Sequence, residues 1–193
     1  MIRNATEADL SAILDIYAPY VLHTTVSFEY TVPTQEEFLQ RFRDVTAQFP
    51  WLVWEEDGRI LGYCYATRPY ARAAYSWCAE PSIYIHPQAH GRGIGRQLYR
   101  VLEQCLKLQG YQVLYTIVTG ENSGSLAFHE RMGYTTCGVF SDCAWKFGRS
   151  LGIRWMEKRL SIVETPSIFP TSWPVIMQDG QKFSDILLIL SIS

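Results

Sequence analysis

Apolar residues recur at helical spacing in three places along the chain. Thr6 and Asp9 form the helix-capping pattern before the first series, and Thr34 and Glu37 form it before the second. The third series follows a glycine-rich stretch and ends at Gly110, a residue type that commonly terminates helices. The apolar positions are Leu10, Ile13, Leu14, Tyr17 and Val21 in the first series, Phe38, Phe42 and Val45 in the second, and Leu98, Val101, Leu102, Cys105 and Leu106 in the third.

Shorter apolar stretches predict strands. Two of them flank Asp57-Gly58, a dipeptide that favours a two-residue hairpin turn. In "EPSIYIHP", Ile83 and Ile85 alternate with polar neighbours, which predicts a half-buried strand that ends at Pro87. The stretches "QVLYTIV", "YTTCGVF" and "GIRWMEKRL" predict three more strands.

A short helix is predicted between two of these strands, because Asn122 can cap its start and Gly133 can end it. Strands outnumber helices, and both a hairpin and a strand–helix–strand crossover are present. We therefore expect an α/β or α+β domain with a mixed, twisted sheet flanked by helices.

Length and composition predict one domain with a tail. The chain has 193 residues, of which 48% are hydrophobic. We assign residues 1–160 to the domain and residues 161–193 to a C-terminal tail, which is proline-rich and ends in the apolar run "DILLILSIS". That run shows no clear period, so we expect the tail to pack on the domain surface or on a partner subunit. Left exposed, it would be an aggregation-prone strand.

Charge and cysteine usage narrow the function class. The formal net charge of −2 gives no basic excess for a nucleic-acid partner. The five cysteines are odd in number and form no CxxC pair, which indicates a reducing, cytoplasmic setting. No signal peptide and no run of about 18 apolar residues is present, so no membrane association is expected. His86 and His90 have no further ligand at metal-binding spacing, so no metal site is predicted.

Three alternating glycines, Gly91, Gly93 and Gly95, lie between the predicted strand that ends at Pro87 and the third helix. A loop of this kind can turn backbone N–H groups and a helix N-terminus toward a phosphate. The loop sequence excludes a Walker A loop, which needs Gly-Lys-Ser/Thr. It fits a dinucleotide-binding motif poorly, because Arg96 occupies the position of the third glycine. A plain turn is the remaining alternative.

The string "QAHGRG" spells Q/R-x-x-G-x-G/A and resembles the acetyl-CoA pyrophosphate loop of the GNAT N-acetyltransferases. Within that superfamily the chain is most similar to the phosphinothricin and methionine sulfoximine acetyltransferases. The resemblance spans residues 1–160 and also rests on "FPWLVWEEDGRILGYCYA", "ARAAYSW", "EPSIYIHP", "NSGSLAFHERMGY" and "KFGRS". It implies the GNAT fold, with a splayed pair of parallel strands that admits acetyl-CoA.

The resemblance also implies where acetyl-CoA binds. The backbone of two strand residues would pair with the pantetheine arm, the glycine loop would hold the pyrophosphate, and the start of the following short helix would contact the arm or the acetyl group. The strand positions are Ile83 and Ile85, the loop positions are His90, Gly91, Arg92, Gly93, Ile94, Gly95 and Arg96, and the helix positions are Asn122 and Ser125.

Two residues carry catalytic roles in the resembling enzymes. Glu80 occupies the position of a glutamate that takes the proton from the attacking amine, a task that suits a carboxylate with a raised pKa. His129 stands where many superfamily members have a tyrosine that meets the departing thiolate, and it could act as acid or base.

The acceptor is expected near Glu29, Arg72 and Tyr75, where the resembling enzymes hold substrate. Arg72 suits a carboxylate or phosphinate, because a guanidinium offers two parallel donors. The chain departs from the family at Ser150 and Gly152, where tryptophan and aspartate are common.

The sequence thus predicts a cytoplasmic, homodimeric, acetyl-CoA-dependent N-acetyltransferase that acts on a small amino-acid-like acceptor such as phosphinothricin or methionine sulfoximine or sulfone. The alternatives are acetylation of a peptide N-terminus or of a polyamine, and a non-catalytic acyl-CoA-binding module. Glu80 and His129 distinguish the enzyme from the module, which has no chemical need for either side chain.

Overall fold

A computed structural model describes residues 1–161 and 168–191. Seven strands and six α-helices are assigned within these ranges. The strands are β1 (Ile2–Asn4), β2 (Trp51–Glu56), β3 (Arg59–Thr67), β4 (Cys78–Ile85), β5 (Val113–Thr119), β6 (Thr135–Lys146) and β7 (Arg149–Arg159). The helices are α1 (Leu10–His23), α2 (Gln35–Thr46), α3 (Ile94–Gln109), α4 (Ser123–Arg131), α5 (Trp173–Met177) and α6 (Gly180–Ser191).

The strands form one mixed sheet, as the sequence predicted, and their order in it is β1-β2-β3-β4-β5-β7-β6. Neighbouring strands are antiparallel except β4 and β5, which are parallel and are joined through α3. The parallel pair is short: in the described structure it comprises Cys78 with Val113 and Ala79 with Leu114. Beyond these two pairs β4 and β5 are no longer paired, although both strands continue.

Helices cover both faces of β3 and β4. On one face, Tyr17 of α1 packs edge-on against Tyr84 at a ring distance of 4.9 Å, and Tyr63 stacks on the same ring. On the other face, the buried thiol of Cys64 lies 3.6 Å from the carbonyl oxygen of Leu98 in α3. The expectation of a half-buried β4 was therefore wrong, because Tyr84 contributes to a second apolar layer under α1 rather than facing water.

The predicted local signals form as expected. Thr34 Oγ1 accepts a hydrogen bond from Glu37 N at 3.2 Å, and the Glu37 carboxylate accepts one from Thr34 N at 2.8 Å. Asp57 and Gly58 both have positive φ (50° and 73°), which a type I′ hairpin turn requires. Gly110 ends α3 with φ of 100°.

The described part of the tail packs on the domain surface as two helices. Trp173 of α5 is buried and its Nε1 donates to Asn4 Oδ1 at 2.8 Å, while Phe183 and Ile186 bury one side of α6. Leu188 and Ile189 lie on the opposite side of α6, with 61% and 65% of their surface exposed. The helical period of the apolar run is not visible in the sequence because apolar residues lie on both sides of the helix. The run forms a helix, so the alternative of an exposed strand was wrong.

Candidate active site

A cavity of about 910 Å³ opens where β4 and β5 separate. Ile83 and Ile85 line it from β4, and Tyr20 and Val26 line it from α1 and the segment after α1. Since these two groups come from opposite faces of the sheet, the cavity reaches from the α3 face toward the α1 face. The other lining residues are Ala89, His90, Gly91, Gly93, Ile94, Gly95, Arg96, Asn122, Gly124, Ser125, Phe128, Arg131 and Met132.

The glycine loop forms one end of this cavity. Gly91 and Gly93 have φ of 76° and 79°, in the left-handed region that glycine adopts without strain. Gly93 is also the N-cap of α3, so the free N–H groups at the start of that helix belong to the loop. A Cβ at either glycine would meet no protein atom within 4 Å. A phosphate can therefore approach the exposed backbone N–H groups at the N-terminus of α3.

Arg92 and Arg96 lie on different sides of the loop. The Arg92 guanidinium makes two hydrogen bonds of 2.8 Å to the carboxylate of Glu56, and Arg92 is not among the residues that line the cavity. Arg96 does line it. The loop residues predicted from the sequence are therefore brought together at the cavity, except Arg92, whose charge Glu56 neutralises.

Sequence reasoning missed Tyr20. Its hydroxyl donates to the Ile85 carbonyl oxygen at 2.5 Å and lies 2.9 Å from His90 Nε2, which is itself 3.1 Å from the same oxygen. This triangle fixes the end of β4 and the start of the glycine loop against α1. The signal in the sequence was weak, since Tyr20 follows Tyr17 at i+3 and reads as one more core position.

Glu80 is the first residue of β4 beyond the last β4–β5 pair. It shares a face with Ser82 and Tyr84, opposite Ile83, because side chains alternate along a strand. The Glu80 carboxylate has no hydrogen bond or ion pair to the described residues, and burial raises its pKa above the usual range of a glutamate. Its side chain is not among those lining the cavity.

His129 is 4% exposed and lies on the inner side of α4. Its Nδ1 is 2.9 Å from the Ser125 carbonyl oxygen, so Nδ1 carries the proton and donates, and Nε2 accepts from the Tyr99 hydroxyl at 3.0 Å. Burial lowers the pKa of His129, so the imidazole is neutral near pH 7. Like Glu80, His129 does not line the cavity.

The start of α4 does line the cavity. Asn122 Oδ1 accepts a hydrogen bond from Ser125 N at 3.1 Å and caps the helix, as predicted. The Ser125 hydroxyl lies 3.3 Å from His129 Nδ1. Among the described contacts, Ser125 thus links the cavity to the buried histidine.

The predicted acceptor residues have different surroundings. Glu29 pairs with Arg41 at 2.7 Å and is half-buried. Arg72 is exposed, precedes a short 3₁₀ turn at Ala73–Tyr75, and has no ion pair to the described residues. The ring of Tyr75 packs against that of Tyr70 at 4.6 Å. None of the three predicted residues lines the main cavity.

Lys146, at the end of β6, is a buried cation that the sequence did not single out. Its ammonium donates to three main-chain carbonyl oxygens, those of Val21, Thr24 and Ser27, at 2.7, 2.8 and 2.6 Å. These bonds hold the segment after α1 against the β6–β7 hairpin. The segment includes the part of the chain that leads to Glu29.

Ser150 and Gly152, the two departures from the family pattern, lie on β7 opposite a bulge in β6. The Ser150 hydroxyl donates to Asp142 Oδ1 at 2.6 Å. A Cβ at Gly152 would come within 2.9 Å of the Phe140 carbonyl oxygen. An aspartate at residue 152 therefore requires the backbone of the bulge to move.

The described residues form neither a metal-binding cluster nor a membrane-spanning helix. Residues 1–161 and 168–191 contain no group of three or more His, Cys, Asp or Glu side chains that could hold a metal ion. In the same ranges, no helix has both the length and the apolar character needed to span a bilayer.

Comparison with known proteins agrees with this geometry. Residues 2–155 match the acetyltransferase (GNAT) domain family. A phosphinothricin N-acetyltransferase from Alcaligenes faecalis is 37% identical over 166 residues, covering 85% of this chain and 84% of the relative. An L-methionine sulfoximine/L-methionine sulfone acetyltransferase from Salmonella typhimurium is 31% identical over 82% of this chain and 94% of the relative.

A solved structure is similar over most of the chain. It is a GNAT superfamily phosphinothricin acetyltransferase from Sinorhizobium meliloti in complex with acetyl-CoA, with a TM-score of 0.82 and 31% identity. The match covers 90% of this chain and 95% of that chain.

Proposed function

Because the chain belongs to the GNAT acetyltransferase family and uses acetyl-CoA as its co-substrate, we propose that it acetylates the α-amine of a small amino-acid-like acceptor. The observation that carries the proposal is the early end of β4–β5 pairing. From Glu80 to the glycine loop, the edge of β4 that faces β5 therefore makes no strand pairing with β5. An extended arm can hydrogen-bond to a strand edge of this kind.

The residues of the cavity fit acetyl-CoA. The backbone N–H groups of the loop and of the start of α3 would hold the pyrophosphate, and Arg96 would add a positive charge. Ile83 and Ile85 would present backbone groups to the pantetheine arm, with Asn122 and Ser125 on the facing side. Bound there, acetyl-CoA supplies an activated acetyl group as a thioester.

Glu80 would take the proton from the acceptor amine. An ammonium cannot attack a carbonyl carbon, and a carboxylate with a raised pKa is suited to remove its proton directly or through water. Glu80 lies on the α1 face, whereas Ile83 and Ile85 lie on the α3 face, so the two substrates would approach the gap in the sheet from opposite sides. His129 would act through Ser125 rather than directly, because both nitrogens of its imidazole ring already take part in hydrogen bonds.

The nature of the acceptor follows from the relatives and from two charged groups. The named relatives act on phosphinothricin and on methionine sulfoximine or sulfone, which are amino acids with a tetrahedral phosphorus or sulfur group. Arg72 is available to bind an anionic acceptor group, and Glu29 would attract the ammonium. Because Ser150 and Gly152 replace a ring and a charge, we expect a different order of preference among these acceptors.

A thiol-release assay with acetyl-CoA tests the proposal. Phosphinothricin, methionine sulfoximine, methionine sulfone and proteinogenic amino acids would be compared with a polyamine and a short peptide. We expect turnover with at least one of the amino-acid analogues and none with the polyamine. Turnover only with the peptide or the polyamine would replace the proposed acceptor class, and binding of acetyl-CoA without transfer to any amine would indicate a non-catalytic module.

We also propose that the enzyme is a cytoplasmic homodimer. All five cysteines are free thiols, which suits a reducing compartment. The exposed apolar side chains of Ile168, Phe169 and Val175 lie in the tail and favour association. Light scattering of the full chain at micromolar concentration is expected to give twice the monomer mass. The dimer interface is expected to bury more than about 1,000 Å² in total. A monomer would contradict the dimer, whereas a dimer that survives truncation after Leu160 would exclude a tail-mediated interface.

A further inference from the structure

Three carbonyl oxygens from one stretch of the chain converge on the side chain of Lys146. They belong to Val21, Thr24 and Ser27 and lie 2.7, 2.8 and 2.6 Å from Nζ. A lysine ammonium has three N–H donors, so each donor has one acceptor here. Lys146 is 3% exposed, so main-chain oxygens rather than water solvate its charge.

Lys146 also caps the C-terminus of α1, although it lies at the end of β6. A helix leaves its last carbonyl groups without intrahelical partners. In α1, Thr24 Oγ1 donates to the Tyr20 carbonyl oxygen at 2.7 Å, and the Lys146 ammonium donates to that of Val21. A positive charge is favourable at this end of the helix dipole. The ammonium thus fixes the direction in which the chain leaves α1.

The segment 24–30 follows this C-terminus and lies on the sheet face that bears Glu80. Ser27 Oγ lies 2.7 Å from the Tyr17 hydroxyl. The Tyr17 ring in turn packs on Tyr84, which shares that face of β4 with Glu80. We refer to residues 24–30 as the acceptor wall, because the acceptor would enter on this face.

One residue of the acceptor wall, Val26, lines the main cavity. A second attachment joins the wall to the β5–α4 loop, where Thr25 Oγ1 donates to Glu121 Oε1 at 2.7 Å and Arg149 pairs with the same carboxylate at 2.6 Å. This ion pair is exposed, and exposed pairs contribute little stability. The buried ammonium of Lys146 is therefore the stronger of the two attachments.

We infer that Lys146 is a positioning residue for the acceptor, because its ammonium holds the acceptor wall, with Val26 and Glu29, beside the opening of the cavity. The inference rests on the proposed function, which places the acceptor on this face of the sheet. Without the ammonium, three carbonyl oxygens would lack a donor. Burying polar groups without partners is costly, so the wall would move toward water. Tyr20 would keep its own bond to the Ile85 carbonyl oxygen, which leaves the glycine loop in place.

Lys146→Met tests this role, because methionine has a similar length and no N–H donor. The acceptor is methionine sulfone or phosphinothricin, whichever the wild type turns over faster. We expect the KM for this acceptor to rise ~10-fold or more, since small displacements of substrate-positioning groups have effects of this size. The kcat at saturating acceptor should fall much less, and calorimetry should give a nearly unchanged affinity for acetyl-CoA.

Gln109 provides the matched control. Gln109 is 2% exposed, and its Nε2 donates to the carbonyl oxygens of Gln48 and Thr171 at 2.7 and 2.8 Å. Gln109→Met therefore also leaves buried main-chain oxygens without a donor, but at the end of α3, among residues that do not line the cavity. It should lower the melting temperature and leave the KM for the acceptor unchanged.

A milder variant covers the case in which Lys146→Met does not fold. Lys146→Gln keeps two N–H donors on a shorter side chain, and it should raise the same KM by a smaller factor. An unchanged acceptor KM in the Lys146 variants, with a melting temperature lowered as in Gln109→Met, would overturn the positioning role and leave the acetyltransferase intact. A loss confined to kcat or to acetyl-CoA affinity would also overturn it. No wild-type turnover of any amino-acid analogue would overturn the proposed function and this inference together.

Discussion

Replacing Glu80 with glutamine is expected to lower the turnover number ~100-fold or more, while the affinity for acetyl-CoA stays unchanged. Glutamine has nearly the same shape but cannot accept a proton at neutral pH, and positioned general bases contribute ~10²–10⁴-fold. Thiol release gives the turnover, and calorimetry gives the affinity. The matched control is Glu157→Gln, which neutralises another half-buried carboxylate, on β7, and should retain activity.

The pH dependence of kcat/KM is an independent test of Glu80 as the general base. Burial raises the pKa of Glu80, so the apparent pKa of the acidic limb of the kcat/KM profile should lie above the usual pKa range of a glutamate. This limb should disappear in the glutamine variant. Wild-type turnover in Glu80→Gln, or an acidic limb that persists, would mean that another group or the solvent takes the proton.

The same pKa shift predicts the direction of the stability change. The folded state holds the proton of Glu80 more tightly than the unfolded state does, so the free energy of unfolding falls as the pH rises between the two pKa values. Above this pH window the native protein contains an ionised, partly desolvated carboxylate without a partner among the described residues. We expect Glu80→Gln to raise the melting temperature at neutral pH, which separates a lost catalytic group from a damaged fold.

Replacing Gly93 with valine is expected to abolish measurable acetyl-CoA binding and leave the fold intact. The φ of 79° is unfavourable for a residue with a Cβ, by ~1–2 kcal/mol and by more for a β-branched side chain. No protein atom lies within 4 Å of the new Cβ, so the branched side chain would project into the space through which a phosphate approaches the backbone. Calorimetry with acetyl-CoA measures the loss.

The β2–β3 hairpin offers a closely matched control for this variant. Gly58 has φ of 73° and, like Gly93, no atom within 4 Å of an added Cβ, but it lies in the turn between β2 and β3. Gly58→Val should therefore lose a similar amount of stability and keep full acetyl-CoA affinity. An unchanged affinity in Gly93→Val, at a similar loss of stability, would remove the phosphate-binding interpretation of the loop.

The parts of the fold that depend on local rules could be predicted from the sequence. The stripe from Leu98 to Leu106 and the terminator Gly110 define α3, and Asp57-Gly58 defines a hairpin, because spacing and φ requirements act within a few residues. Helical spacing places His129 on α4 but does not say whether its side chain points to the cavity or to the core. That depends on Tyr99, which is 30 residues away in the chain.

Charge partners were the least predictable part of the site. Arg92 belongs to the glycine motif, yet it pairs with Glu56 from a different strand. Tyr20 and Arg131 line the cavity from helices whose sequences give no sign of it. The separation of β4 and β5 was indicated by the resemblance alone, since no residue within either strand marks where a parallel pair ends.

The three carbonyl bonds of Lys146 bear on the order in which the site is assembled during folding. Their acceptors are 119 to 125 residues away along the chain, so each bond closes a very long loop. Contacts of such separation form after the local hairpins and helices, because chain entropy opposes them until the intervening sheet is in place. The segment leading to Glu29 thus reaches its native position as a late step, whereas the glycine loop and α3 are contiguous in sequence and can form early.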